Sequence, residues 1–131
     1  MSQTFAQLAD IPLYGLPASW ATSLSSTVQQ ACLDSAAAEM NSHFRARYTL
    51  PFTSFGVELI EKNVIIAKYK MLMIRGVNPG AQADKQIKQD YDEAIAWCVG
   101  VKEQKIHPDV VESGTLEYMQ PLVSSKTPRG I

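Results

Sequence analysis

Histidine and cysteine are both scarce in this chain, two of each among 131 residues, and the scarcity removes whole classes of chemistry. A zinc site would need His43 and His107 brought together with carboxylates from distant segments, and nothing in their spacing asks for that. The sequence contains no Cys-x-x-Cys pair, no His-Glu-x-x-His and no phosphate-cradling glycine loop. Cys32 and Cys98 fall on apolar helix faces and read as small buried hydrophobes of a reducing compartment, with a disulfide as the alternative. Charge of one sign is lacking too. Twelve Lys and Arg against thirteen Asp and Glu leave a formal net charge of −1, without the excess a general nucleic-acid binder carries. Long apolar runs are missing as well. The best, residues 64–74, is broken by Lys68 and Lys70 and falls short of the roughly 20 residues a membrane span needs. The first ten residues lack the basic-then-apolar layout of a signal peptide, so the expectation is a chain made and kept in cytoplasm, with no membrane contact.

What is present is enough apolar residue, 46% of the chain, to build one helical core. From Leu24 to Phe52, Val28, Cys32, Ala36, Met40 and Phe44 recur every four residues, with Leu33 and Ala37 beside them. That spacing draws one apolar stripe along a helix of roughly 20 residues. Ser25 or Ser26 can cap it, and Pro51 stops it, which gives a long helix over about 25–47. Three consecutive alanines, Ala36 to Ala38, leave room for a neighbouring helix to come close. A second helix is expected over about 57–75, apolar on most sides and hence central, with Glu58, Glu61, Lys62, Asn63, Lys68 and Lys70 as its polar positions. The run Val64-Ile65-Ile66 also suits a strand, but no partner strand is evident. A third helix over about 81–105 carries a stripe of Ile87, Tyr91, Ala94, Ile95, Cys98 and Val101, with its acids and lysines on the solvated side. Gly100 reads as a tolerated cost near its end. A short N-terminal helix, Thr4 to Asp10, precedes a stretch punctuated by Pro12, Gly15 and Pro17.

The fold expectation is therefore all-α: a short N-terminal helix, a three-helix core, and an extended C-terminal tail. The division falls after Ile106, with a helical domain over 1–106 and a tail over 107–131. The tail is too short for its own core yet dotted with Val110, Val111, Leu116, Tyr118, Met119, Leu122 and Val123. Apolar residues in such a segment have somewhere to dock, on the chain's own helices or on another subunit or partner, or else the segment stays disordered.

Candidates for chemistry are few. His43, in the last turns of the long helix, suits the helix C-terminal dipole. Cys98 beside Trp97 has no histidine evidently placed to activate it, which favours core packing. Asp90, Asp92 and Glu93 read as a solvated surface and not as an acid–base pair. The sharpest cluster is Arg45, Arg47 and Tyr48. It suits favourable placement at a helix end, contact with a subunit or partner surface, where Arg and Tyr are enriched, or contact with phosphate. The expectation is a non-enzyme that needs no cofactor and no metal.

The string Met40-Asn-Ser-His-Phe-Arg-Ala-Arg-Tyr-Thr-Leu-Pro-Phe52 resembles the small head–tail connector (adaptor) proteins of long-tailed bacteriophages and Mu-like prophages. Arg45, Arg47, Tyr48, Leu50 and Pro51 match their Arg-x-Arg-Tyr-x-Leu-Pro turn. The string Ala67-Lys68-Tyr69-Lys70-Met71 and the set Tyr91, Ala94 and Ile95 are similar to patterns in the following helices. Asn41 stands where an acid is common, and Gln104-Lys105 replaces a glycine-containing end of the third helix. The resemblance implies an all-α subunit of a homo-oligomeric, dodecameric ring beneath the portal in the virion neck. It implies a C-terminal segment docked on the portal protein, a stopper or tail-completion protein on the other face, and double-stranded DNA passing through without specific binding. The alternative from a different class is a small helical DNA-binding module, with Arg45, Arg47 and Tyr48 on phosphates.

Overall fold

A computed structural model describes residues 3–14, 24–76 and 80–112. Three long helices dominate: α1 over Ser26–Phe44, α2 over Val57–Arg75 and α3 over Gln82–Lys102. Each packs on the other two, and a 3-10 helix over Leu8–Tyr14 lies against α1 and α2. The fold is all-α in its core, as the periodicity requires. The expected stripe of α1 is buried from Cys32 to Phe44, with Ala36 and Ala37 fully enclosed where α2 and α3 approach. Ser25 caps α1 by accepting from the Val28 amide at 3.2 Å, which satisfies one of the first-turn donors.

The boundaries of α2 agree with the expected 57–75, but its polar residues do not all face solvent. Asn63 is fully buried. Its Oδ1 accepts from the Phe5 and Ala6 amides at 2.9 and 2.8 Å, and its Nδ2 donates to the Leu33 carbonyl at 3.0 Å. One carboxamide therefore ties the N-terminal segment and α1 to α2. The same bonds correct the expected helix over Thr4 to Asp10. With the Phe5 and Ala6 amides held by a side chain, the helical turn starts only at Leu8 and runs through Pro12. Asp10 closes its start, its carboxylate accepting from the Gln7 amide at 2.8 Å.

Both other helices end earlier than the sequence pattern suggested. α1 stops at Phe44, three residues before the expected limit, because the Arg47 and Tyr48 amides both turn back to the Phe44 carbonyl at 2.9 and 2.8 Å. α3 stops at Lys102 through a closing turn in which Lys105 N donates to Gly100 O at 2.8 Å and Gln104 N to Val101 O at 3.1 Å. That pair of bonds is a Schellman motif, and it puts Gln104 at φ +66°, the left-handed position that glycine usually fills. Gly100 is more than a tolerated cost: a Cβ there would lie 2.6 Å from Cδ1 of Ile106, which folds back over it. Asp84, expected on the solvated side of α3, is buried and bonded to Arg75 at 2.8 Å.

A small sheet was not anticipated. Ser54–Phe55 (β1) pairs antiparallel with Val110–Val111 (β2), in register Ser54 with Val111 and Phe55 with Val110. The Thr53 amide donates to Val111 O and the Gly56 amide to Asp109 O, each at 2.8 Å. Glu112 accepts from the Thr49 amide at 2.8 Å. Residues 107–112 thus continue the packed unit, and the expected division after Ile106 falls inside it.

Removing the Asn63 carboxamide leaves the two buried amides of Phe5 and Ala6 without their acceptor, each costing about 1–3 kcal/mol, while Leu33 O keeps its bond within α1. Asn63→Leu is expected to lower unfolding free energy by at least about 2 kcal/mol in urea titrations, with Glu61→Gln close to wild type. Gln104→Gly, which relieves the left-handed strain, is expected to raise stability by about 0.5–1 kcal/mol in the same measurement.

Candidate interaction surface

Arg47 lies in the turn after α1, yet its guanidinium serves the end of α3. Nη1 donates to Val101 O and to Ile106 O, each at 2.8 Å, and Nη2 meets His107 Nδ1 at 2.7 Å. Val101 and Ile106 flank the turn that closes α3, where the helix dipole is negative, so a cation is stabilised there. The guanidinium also lies over the Tyr48 ring at 4.8 Å, and that ring meets Phe52 edge-on at 5.4 Å. Burial raises the Tyr48 hydroxyl above its ordinary pKa, the Arg47 charge opposing. Of the three residues grouped by sequence, the structure therefore separates the roles. Arg45 is exposed, whereas Arg47 and Tyr48 are half-buried and engaged within the chain. Three of the five Arg47 N–H donors are thus used within the chain. The signal for its helix-end role was present in sequence, but the helix it serves is 54 residues away.

Between α1 and α2 runs an apolar groove of about 530 Å³, lined by Val28, Ala31, Cys32, Tyr69, Lys70 and Met73 among others. Met73 and Ile74 at its α2 end are more than half exposed. The sequence had counted Ile74 among the apolar residues of a helix covered on most sides. The groove floor is braced by a polar pin: Lys70 Nζ lies 3.2 Å from Glu39 Oε1, and Tyr91 donates to Glu39 Oε2 at 2.8 Å. Tyr91 stacks on Tyr69 at 4.1 Å. Burial and the bond to Glu39 push the Tyr91 hydroxyl up to about 12.

Burial holds the Cys98 thiol protonated, with a pKa of about 12, Glu39 adding to the shift, and it raises that of Cys32 against the pull of Lys70. Neither is a ready nucleophile, because the thiolate is the reactive form. Both are free thiols. On the outer face of α3, Lys88 pairs with Asp92 at 2.8 Å, Gln86 with Asp90 at 2.9 Å and Gln89 with Glu93 at 3.4 Å. These are one-turn surface pairs, as the spacing implied. Lys68 had read as an ordinary solvated position, but burial lowers its pKa while Asp90 opposes. His43 sits half-buried in the last turn of α1. No helix among the described residues is long and apolar enough to cross a membrane.

Of the expected tail residues, Val110 and Val111 are placed in β2, half-buried, with Val110 against the core. Leu116, Tyr118, Met119, Leu122 and Val123 lie outside the described residues.

A family model described as "Bacteriophage Mu, Gp36" matches residues 2–121. A search of curated proteins finds no match.

Arg47→Met keeps the stem over Tyr48 but strips both carbonyls of a charged donor. It is expected to cost about 2–3 kcal/mol in urea unfolding, with Arg47→Lys recovering only part, since one ammonium cannot span the three acceptors.

Proposed function

This chain belongs to the bacteriophage Mu Gp36 family, and we propose from that premise that it is a non-catalytic head–tail connector. Membership supports a phage structural or morphogenesis protein; the connector role is the finer reading. In it, identical copies close into a dodecameric ring beneath the portal, in the neck of the virion, after assembly in the infected cell. One face meets the portal protein, the other a stopper or tail-completion protein, and double-stranded DNA passes through the channel.

The observation that carries this reading is how far the family match extends. It continues past Glu112, the last described residue, to residue 121, and so takes in Leu116, Tyr118 and Met119. The tail is thus part of what defines the family, and its apolar side chains are the natural docking elements for the portal. The helical unit supports the same reading. Its interior is closed by packing, its thiols are held protonated, and its exposed apolar residues offer surface and not a reacting centre. A DNA-binding module is less well supported, because three of the five Arg47 N–H donors are engaged within the chain, at Val101, Ile106 and His107.

The root of the tail belongs to the folded unit, so the informative truncation falls after Glu112. Chain 1–112 is expected to keep the helical circular dichroism and cooperative unfolding of the full chain while failing to co-sediment with the portal. Normal joining by 1–112 would overturn the tail's role. Absence of rings in electron micrographs of the full chain mixed with portal would overturn the connector reading itself.

A further inference from the structure

Among the described residues, the groove between α1 and α2 gathers apolar side chains that nothing in the helical unit covers. Met73 is 54% and Ile74 60% exposed, and Val28, Cys32 and Tyr69 continue the lining. Its size limits what fits. A volume of about 530 Å³ receives a few side chains. A stable interface with a second copy takes about 800 Å² from each partner, the scale of a whole face and not of one groove. A short run of apolar residues on an irregular or extended chain is the matching occupant.

The chain carries such a run beyond Glu112. Leu116, Tyr118, Met119, Leu122 and Val123 fall within eight residues, outside the described part. The starting point of that segment is fixed. Glu112 accepts from the Thr49 amide at 2.8 Å and β2 pairs with β1, so the segment leaves from the Phe44 end of the bundle. Ser35 and Val28, at the two ends of the groove, stand about 14 and 24 Å from Phe44 along the α1 axis. Leu116 and Val123 lie four and eleven residues beyond Glu112, reaches of about 14 and 37 Å for an extended chain. The apolar run and the groove therefore cover the same range of distances from the anchor. Charge agrees as well. Lys70 sets a cation in the groove lining, 3.2 Å from Glu39, and Glu117 is the one acid in 113–131.

We propose that the groove is the resting seat of the chain's own C-terminal segment. Leu116, Tyr118 and Met119 lie over Cys32, Tyr69 and Met73, with Glu117 toward Lys70, until a partner takes the segment away. The consequence for assembly rests on the connector reading. A segment that docks on the portal leaves the groove, so joining uncovers apolar surface that the free subunit keeps covered. Covering it beforehand limits association between free copies, because exposed apolar patches drive such contacts.

The test uses the full chain without portal. Cys32 lines the groove and Cys98 is fully buried, so the rate of Cys32 alkylation by iodoacetamide, read by peptide mass spectrometry, reports whether the groove is covered. Cys98 gauges opening of the whole bundle, and pH is held fixed because the thiolate is the attacking form. The combined variant Leu116→Ser, Tyr118→Ser, Met119→Ser lies beyond the packed unit and leaves its core intact. It is expected to be alkylated at Cys32 about tenfold faster than wild type, with Cys98 unchanged. Glu117→Lys should give a smaller acceleration, and Lys126→Ser with Arg129→Ser should match wild type. A contact within one chain makes the wild-type rate independent of protein concentration. Equal rates in wild type and the combined variant would overturn the seat, as would an acceleration shared by Cys98 or by the Lys126 and Arg129 control. A wild-type rate that rises on dilution would place another copy's segment in the groove and overturn it too. With no portal present, failure here leaves the connector reading standing, and absence of rings with portal would leave a covered groove standing.

Discussion

Among the described residues, the N-terminal segment, the turn after α1 and the segment after α3 gather at one end of the bundle, around the fully buried ring of Phe44. All four phenylalanines of the chain gather there. Phe5, Phe52 and Trp97 surround Phe44 at centroid distances of 6.1, 5.7 and 6.2 Å, and Phe55 meets Phe5 edge-on at 5.0 Å. Aromatic rings bury large areas and favour such tilted contacts, so the cluster is a strong apolar anchor. It also brings irregular backbone into the interior, and that backbone must find partners. Side chains supply them. Gln3 exchanges two bonds of 2.9 Å with the backbone of Phe52, Asn63 holds the Phe5 and Ala6 amides, and Arg47 holds the carbonyls at the end of α3. Apolar burial draws the segments in, and a few polar side chains make that burial tolerable.

The opposite end of the bundle is built differently. There α1 and α2 leave an apolar groove, and Met73 and Ile74 stand out from it. One end is therefore closed by its own chain, with the root of the tail stitched in beside it, and the other offers apolar surface. The thiols and the buried polar groups lie within the packed bundle.

Much of the fold was legible in sequence because helices are governed by local rules. Four-residue recurrence marked α1 and its buried face, Ser25 or Ser26 was recognisable as its cap, with Ser25 the one used, and glycines at 56 and 76 bracket α2. Gly76 indeed ends α2 at φ +107°. Several of the misplacements arise from a partner elsewhere in the chain. Asn63 reads as one more polar residue on a helix until Phe5, Ala6 and Leu33 converge on it. Asp84 reads as solvated until Arg75 covers it. Val110 and Val111 read as a tail until Ser54 and Phe55 offer an edge to pair with. Arg45, Arg47 and Tyr48 looked like one cluster, and only the approach of α3 showed that Arg47 had a different task.

The amino-acid sequence by itself determined the helical class, the number and faces of the long helices, and the absence of motifs for metal, phosphate or nucleophilic chemistry. It could do so because backbone periodicity and ligand spacing are short-range properties. Tertiary structure alone decided which polar residues are buried, where the helices stop, and that the start of the C-terminal segment belongs to the folded unit. Those outcomes depend on which donors and acceptors meet, some across long separations, as Arg47 and Val101 do at 54 residues, and others within one turn, as Lys105 and Gly100 do. A single residue's type carries no record of the partner it will find.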